Sequence, residues 1–154
     1  MTISPNGVLY VGTMDQGLVY SITKGKVVTL FSELNMPQGV LWNANELYIA
    51  EIQRISKVVN LNTKPTLEPI KVFPDKKWHG WKTITKGPDG KLYVRIGAHC
   101  RMDFDGKNFE TIVTGIRNTV GYTWNPATKE LYFTEMGRDQ MGENIPPDEI
   151  NVIA

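Results

Sequence analysis

The protein is one chain of 154 residues, 41% of them apolar, with a formal net charge of +1 at pH 7. This length suffices for one domain with a buried core, and the near-zero charge gives no electrostatic reason to expect nucleic acid or an anionic membrane as a partner. No apolar run approaches the length of a transmembrane helix, and the single cysteine, Cys100, cannot form an internal disulfide bond.

A short string, Leu-Tyr followed by Val, Ile or Phe, recurs four times along the chain. Its copies, at spacings of 38, 45 and 39 residues, are Leu9-Tyr10-Val11, Leu47-Tyr48-Ile49, Leu92-Tyr93-Val94 and Leu131-Tyr132-Phe133. A period near 40 residues is typical of a repeat architecture. The sequence therefore predicts a single domain of four repeats, at about 1–34, 35–76, 77–115 and 116–154.

Each string follows a group of turn-forming residues, such as Ser4-Pro5-Asn6-Gly7 or Gly87-Pro88-Asp89-Gly90. Proline presets φ and glycine accepts a positive φ, so these groups predict tight turns. Short β-type runs flank every string, and no stretch longer than about ten residues keeps a helical period. A 40-residue unit of four short antiparallel strands forms a propeller blade. We therefore expect an all-β propeller of about four four-stranded blades, the last of them incomplete.

The alternation of strand direction predicts which loops meet. If the strands of each blade are labelled A to D, the Leu-Tyr string is strand B. The A–B and C–D turns then lie at one end of the sheet, and the B–C and D–A connections at the other. This second end, called the mouth end below, should carry Gln38, His79, Arg117, Asn118 and the acidic stretch 135–149. Long insertions in repeat proteins commonly lie on the binding face, and part of this stretch is such an insertion.

Three features at the mouth end could carry chemistry. His79, between Trp78 and Trp81, is either a general base or a histidine that hydrogen-bonds a loop carbonyl. Arg117 and Asn118 either hold a carboxylate or quinone oxygen or tie adjacent blades together. The stretch 135–149 contains five carboxylates and is either a calcium-binding loop or a solvated acidic loop.

Two further residues have simpler interpretations. His99 is expected to be a polar loop residue, and Cys100 a semi-buried thiol beside a turn. The sequence contains no Cys/His cluster with zinc spacing and no phosphate-binding glycine loop.

Several segments together resemble the soluble glucose/sorbosone dehydrogenases, six-bladed propellers that use pyrroloquinoline quinone (PQQ), and most closely the L-sorbosone dehydrogenase branch. The segments that carry the resemblance are Leu34-Asn35-Met36-Pro37-Gln38-Gly39, His79-Gly80-Trp81-Lys82, Gly115-Ile116-Arg117-Asn118, Gly137-Arg138-Asp139 and Pro146-Pro147-Asp148-Glu149.

The resemblance implies oxidation of a sugar or sugar-derived aldehyde by hydride transfer to PQQ. It makes His79 the catalytic base, with Arg117 as a second catalytic residue. It places Gln38, His79, Arg117 and Asn118 around the cofactor. It also implies that Ca²⁺ is bound by the backbone carbonyls of Gly137 and Arg138, together with Asp139.

The sequence departs from this family in length, because it accounts for only about four of six blades. We expect the flat sides of the outer blades to be covered by a second copy or a complementing chain, unless four blades close into a ring or the sequence is a gene fragment. The opening residues do not resemble a secretion signal, so the compartment stays open. The alternative functions are an inactive or partner-binding propeller fragment and a calcium-dependent lactonase with Glu51 and Asn118 at its metal site.

Overall fold

The computed structural model describes residues 1–75, 80–138 and 147–153, and this part of the chain contains fifteen strands and no helix. The prediction of an all-β fold is therefore confirmed. Within the same residues, nothing forms a helix long and apolar enough to cross a bilayer.

The strands form four antiparallel sheets, numbered I to IV in chain order, and each sheet is a meander in which sequence neighbours pair. Sheet I contains β1 (Thr2–Ile3), β2 (Leu9–Gly12), β3 (Val19–Thr23) and β4 (Lys26–Phe31); sheet II contains β5 (Gly39–Asn43), β6 (Glu46–Ala50), β7 (Arg54–Val59) and β8 (Thr66–Val72). Sheet III contains β9 (Ile84–Lys86), β10 (Leu92–Arg95), β11 (His99–Met102) and β12 (Glu110–Val113); sheet IV contains β13 (Tyr122–Trp124), β14 (Leu131–Glu135) and β15 (Glu149–Ile153).

These sheets are the four predicted blades of a β-propeller, and the fourth has three strands among the described residues, as expected for an incomplete blade. The turn-forming residues act as predicted. Gly7 and Gly90 both have φ near +79°, and Ala44 and Asn45 take positive φ in the turn between β5 and β6. Such conformations favour glycine and asparagine, so the turn chemistry in the sequence determines where each hairpin folds.

The Leu-Tyr string packs the blades together because alternate residues of a strand face opposite sides of the sheet. In sheet II, Leu47 and Ile49 belong to the core shared with sheet I, whereas Tyr48 belongs to the core shared with sheet III. Tyr10 in turn stacks on Trp42 of sheet II, with ring centroids 5.5 Å apart. The leucine therefore faces the preceding blade and the tyrosine faces the following one.

Two minor predictions about sheet III are wrong. His99 is not a loop residue but the first residue of β11, where it is 1% exposed between sheets III and IV. Cys100 is fully buried in the core rather than semi-buried, and its Sγ lies 3.5 Å from Thr111 Oγ1. Both residues follow the short loop 96–98, and strand β11 begins earlier than the polar sequence suggested.

Candidate functional site

The B–C and D–A connections do meet at one end of the blades. In sheet II, the amide of Ile52 donates to the carbonyl of Asn35 at 3.1 Å. In sheet IV, the amide of Met136 donates to the carbonyl of Asn118 at 3.0 Å. Each of these bonds joins a B–C connection to the D–A segment of its own blade, so the geometry agrees with the mouth end inferred from strand direction.

Two glutamates at matching positions secure these connections. Glu51 and Glu135 each stand four residues after the leucine of their string. Glu51 Oε1 accepts the amide of Asn35 at 3.0 Å, while Glu135 Oε1 accepts the amides of Arg117 at 2.6 Å and Asn118 at 3.0 Å. A carboxylate that accepts backbone N–H groups forms strong, directional bonds. The primary role of both side chains is therefore to hold a loop.

Glu51 is further neutralised by its neighbours. It is 1% exposed, its Oε2 accepts from Arg54 Nε, and its Oε1 lies 3.4 Å from Gln53 Nε2. This carboxylate is thus fully engaged with protein donors. It offers little to a metal ion, which weakens the lactonase alternative.

Arg95 joins sheet III to sheet IV at the mouth end. This side chain is 1% exposed; its Nη1 donates to Asn118 Oδ1 at 3.0 Å and its Nη2 donates to the carbonyl of Trp81 at 3.1 Å. The guanidinium also lies over the Trp81 ring, 5.7 Å from its centroid. Burial lowers the pKa of Arg95 below its usual value, yet an arginine remains charged. A buried cation therefore links the segment after His79 to the segment that contains Asn118.

Lys82 provides a second buried cation, between sheets II and III. Its Nζ donates to the carbonyl of Ile52 and, at 3.0 Å, to that of Gly80. Burial, and then the charge of Arg95, lowers the pKa of Lys82 to about 8. Together, Lys82 and Arg95 bind the carbonyls of Gly80 and Trp81, the two residues that follow His79.

Arg117 reaches the loop that was predicted to bind calcium. Its Nη1 donates to the carbonyl of Met136 at 3.2 Å and to that of Gly137 at 2.5 Å. The amide of Gly137 donates to Asp148 Oδ1 at 2.8 Å. The peptide groups of Gly137 are thus held by a guanidinium on one side and a carboxylate on the other.

The remaining predicted site residues are distributed as follows. His79 and Asp139 lie outside the described residues. Asn118 is 6% exposed, and both ends of its carboxamide have protein partners, because Nδ2 lies 3.5 Å from Met136 Sδ. Gln38 has a buried Oε1 that no described group hydrogen-bonds. Arg138 is exposed.

Arg95 and Lys82 were not predicted as site residues, although the sequence contains one signal for Arg95. Gly12, Ala50 and Thr134 occupy the position of Arg95 in the other repeats, three residues after the leucine. An arginine at a position where the other three repeats have small residues is expected to extend its side chain toward a neighbouring blade. Among the described residues, no group of three or more His, Cys, Asp or Glu side chains is arranged to hold a metal ion.

The fold of this chain recurs in known proteins. No family model matches the chain. It is 29% identical to an uncharacterized protein of Borreliella burgdorferi over 99% of its own length and 48% of that protein.

Solved structures share the fold over nearly the whole chain. A Thermus thermophilus protein whose structure carries the name oxidoreductase (glucose dehydrogenase) superposes with a TM-score of 0.79 at 18% identity, over 99% of this chain and 60% of that one. A Trichoderma reesei protein of carbohydrate-active enzyme family AA12 gives 0.81 at 15%, over 97% and 50%. Regucalcin from Agrobacterium tumefaciens, a calcium-binding protein, gives 0.65 at 21%, over 93% and 54%.

These likenesses establish the propeller fold. The chain spans about half the length of the curated relative it matches and half to three fifths of these structures.

Proposed function

We propose that this chain supplies blades of a PQQ-type propeller dehydrogenase that oxidises a sugar or a sugar-derived aldehyde at the mouth end. The resemblance of several mouth-end segments to the glucose/sorbosone dehydrogenases supports this proposal, as does the name of the Thermus structure. The observation that carries it is the position of the Arg117 guanidinium at the mouth end, where it lies against the connection that follows strand B of sheet IV, because a cation there suits a cofactor that carries carboxylates.

The fit of a quinone cofactor rests on two side chains. Arg117 provides a cation at the mouth end, and a guanidinium matches the geometry of a carboxylate. The buried Oε1 of Gln38 is an acceptor without a partner among the described groups, and such atoms cost free energy unless a bound donor satisfies them. Asn118 fits less well, because Arg95 and Met136 already occupy its carboxamide.

Calcium does not fit the described residues at the predicted position. The carbonyl of Gly137 accepts a hydrogen bond from the guanidinium of Arg117. A divalent cation on the same oxygen would stand close to that positive charge, and Ca²⁺ needs six to eight oxygen ligands. We therefore assign no role to calcium in the reaction.

In this proposal, Arg117 and Gln38 would hold PQQ, which would supply the acceptor for the two electrons that leave the substrate as hydride. His79 takes the proton of the substrate hydroxyl, the role that the resemblance gives it. Arg117 holds a negatively charged group of the cofactor. Arg95 and Lys82 act as positioning residues, because they fix the backbone that follows His79 without contacting substrate.

The proposal is tested by titrating the full chain with PQQ and following binding by absorbance and fluorescence. Arg117→Met should raise the dissociation constant for PQQ by at least about tenfold, as expected for the loss of one charge-assisted hydrogen bond. Arg101→Met is the matched control, because Arg101 lies at the opposite end of sheet III and pairs with Asp89 and Glu110. It should leave PQQ affinity unchanged.

Dye reduction with aldoses and sorbosone then tests turnover, which His79→Ala should abolish while PQQ binding persists. Failure of the wild-type chain to bind PQQ at micromolar concentration would contradict the proposal, and so would an equal effect of the two arginine variants. A calcium-dependent hydrolysis of a sugar lactone that is insensitive to Arg117→Met would favour the lactonase alternative instead.

A further inference from the structure

The two outer sheets expose positions that the inner sheets bury. In strand B of each repeat, the residue three positions after the leucine of the string pairs with a strand C residue that lies on the face toward the following blade. This strand C residue is Val19, Ile55 and His99 in sheets I to III, which are 0%, 0% and 1% exposed. In sheet IV it is Ile150, which is 79% exposed. Among the described residues, no sheet covers this face of sheet IV.

The opposite face of sheet I shows the same difference. The leucines of the string in sheets II to IV, which face the preceding blade, are all buried. Leu9 is only half-buried, and Ile3 and Val27, on the same face of sheet I, are 64% and 58% exposed. The exposures also show that sheets I and IV do not cover one another as a closed four-bladed ring would require.

The two uncovered faces are complementary. Three times within the chain, the tyrosine face of one sheet packs against the leucine face of the next. The sheet I face (Ile3, Leu9, Val11 and Val27) is a leucine face, and the sheet IV face (Tyr132, Ile150 and Val152) is a tyrosine face. The sheet IV face also borders a cavity of about 420 Å³ lined by Thr134, Met136 and Ile150, among others. The sheet I face and the sheet IV face therefore each correspond to one side of the contact that joins neighbouring blades within the chain.

We propose that the sheet IV face of one molecule binds the sheet I face of a second copy of this chain. The contact is heterologous, so it either closes into a ring or continues as a longer assembly. Exposed apolar patches rimmed by polar residues are typical of such interfaces. The proposal is independent of the proposed function.

The test is sedimentation of the full chain and of variants that block one face each. Ile3→Lys with Val27→Lys blocks the sheet I face, and Ile150→Lys blocks the sheet IV face; all three side chains are exposed, so folding should persist. The wild type should form dimers or larger species. Each blocked variant alone should be monomeric, with association weakened at least about tenfold.

An equimolar mixture of the two blocked variants should form a 1:1 dimer, because one intact face of each kind remains. This rescue also shows that both variants are folded. Val28→Lys is the matched control: Val28 is 46% exposed and adjacent to Val27 but lies on the other side of β4, so this variant should assemble like the wild type.

Three results would overturn the proposal. A monomeric wild type at submillimolar concentration would assign the two faces to a different polypeptide. Dimerisation of Ile150→Lys alone would indicate a symmetric contact between two sheet I faces. Dimerisation of the sheet I variant alone would indicate the same for two sheet IV faces.

Discussion

Sheet III carries a buried cation at its mouth end and a partly exposed cation at its opposite end. Arg95 is 1% exposed and donates only to neutral oxygens, those of Asn118 and Trp81. Arg101 has a side chain that is 32% exposed and pairs with two carboxylates, Asp89 and Glu110. Within the part of the chain that the structure describes, the cation with the larger desolvation cost is therefore the one that forms no ion pair.

The pKa shifts of the two arginines follow their environments. Burial lowers the pKa of Arg95, whereas hydrogen bonds to the Tyr93 hydroxyl and then to Glu110 raise that of Arg101. Exposed ion pairs contribute little to the free energy of unfolding. A buried charge is costly to desolvate, and its main effect is to specify how the groups around it are arranged. The difference indicates that Arg95 fixes the packing of sheet IV on sheet III, whereas Arg101 forms surface ion pairs within sheet III.

The strongest test of this contrast is Arg95→Met. The substitution keeps an apolar stem but removes the hydrogen bonds that Arg95 donates to Asn118 Oδ1 and to the carbonyl of Trp81, each at a cost of roughly 1–3 kcal/mol. Removing the desolvated charge offsets part of that cost, so we expect a net loss of about 3 kcal/mol in the free energy of unfolding, measured by urea denaturation.

Arg95→Lys is the control, because it keeps the charge but can satisfy only one of the two acceptors well. Arg95→Lys should lower the free energy of unfolding by less than Arg95→Met does. If the methionine variant is as stable as the wild type, the two hydrogen bonds only compensate for the free energy that desolvating the guanidinium costs.

The second test uses pH, through His99, which packs against Tyr122 and Phe133 and lies 3.1 Å from Thr119 Oγ1. Burial, and then the charge of Arg95, lowers the pKa of His99 to about 4. The unfolded chain, with an ordinary histidine pKa of about 6.5, therefore binds more protons than the folded chain between these values. Stability should fall as the pH falls through this window, by about 2 kcal/mol at pH 5.

Denaturation curves from pH 7.5 to pH 4.5 measure this slope. His99→Phe keeps the aromatic contacts and should remove the histidine contribution, while His79→Gln controls for the other histidine of the chain. A slope that survives His99→Phe would assign the acid sensitivity to carboxylates instead.

The third test is Glu51→Gln at the mouth end of sheet II. The amide can still accept from Asn35, but the charge that binds Arg54 is lost. Because Arg54 is partly exposed and can be solvated, we expect a loss of about 1–2 kcal/mol in the free energy of unfolding. Arg54→Met should lower the free energy of unfolding by more than Glu51→Gln, because it leaves the buried carboxylate of Glu51 without its cation. The double variant should lose less than the sum of the two single variants, since the two side chains act as a pair.

The fold was predictable because its determinants are local. The Leu-Tyr strings and the turns before them specify strands, and a period of two places leucine and tyrosine on opposite faces wherever the strand lies. The mouth end was predictable for the same reason, since strand direction alone decides where each connection emerges.

The site was less predictable, because its contacts cross between blades. Nothing local to Arg95 indicates that its acceptors are the carbonyl of Trp81 and the carboxamide of Asn118, which belong to different D–A segments. Nor does the loop sequence show that Arg117 lies against Gly137, the carbonyl predicted for calcium. Such pairings depend on the angle between neighbouring sheets, which a repeat period does not specify.

The smallest effect is expected at the opposite end, for Arg101→Ala. Asp89 and Glu110 lose a partner, but both can be solvated, and salt already screens the pairs. We expect a loss of no more than about 1 kcal/mol in the free energy of unfolding, which decreases further in high salt, whereas the loss in Arg95→Met should be insensitive to salt. Urea denaturation of both variants at low and high ionic strength measures the two responses together. Equal salt dependence would mean that solvent reaches the mouth-end cation as readily as the exposed one, and the contrast between the two ends of sheet III would then have no energetic basis.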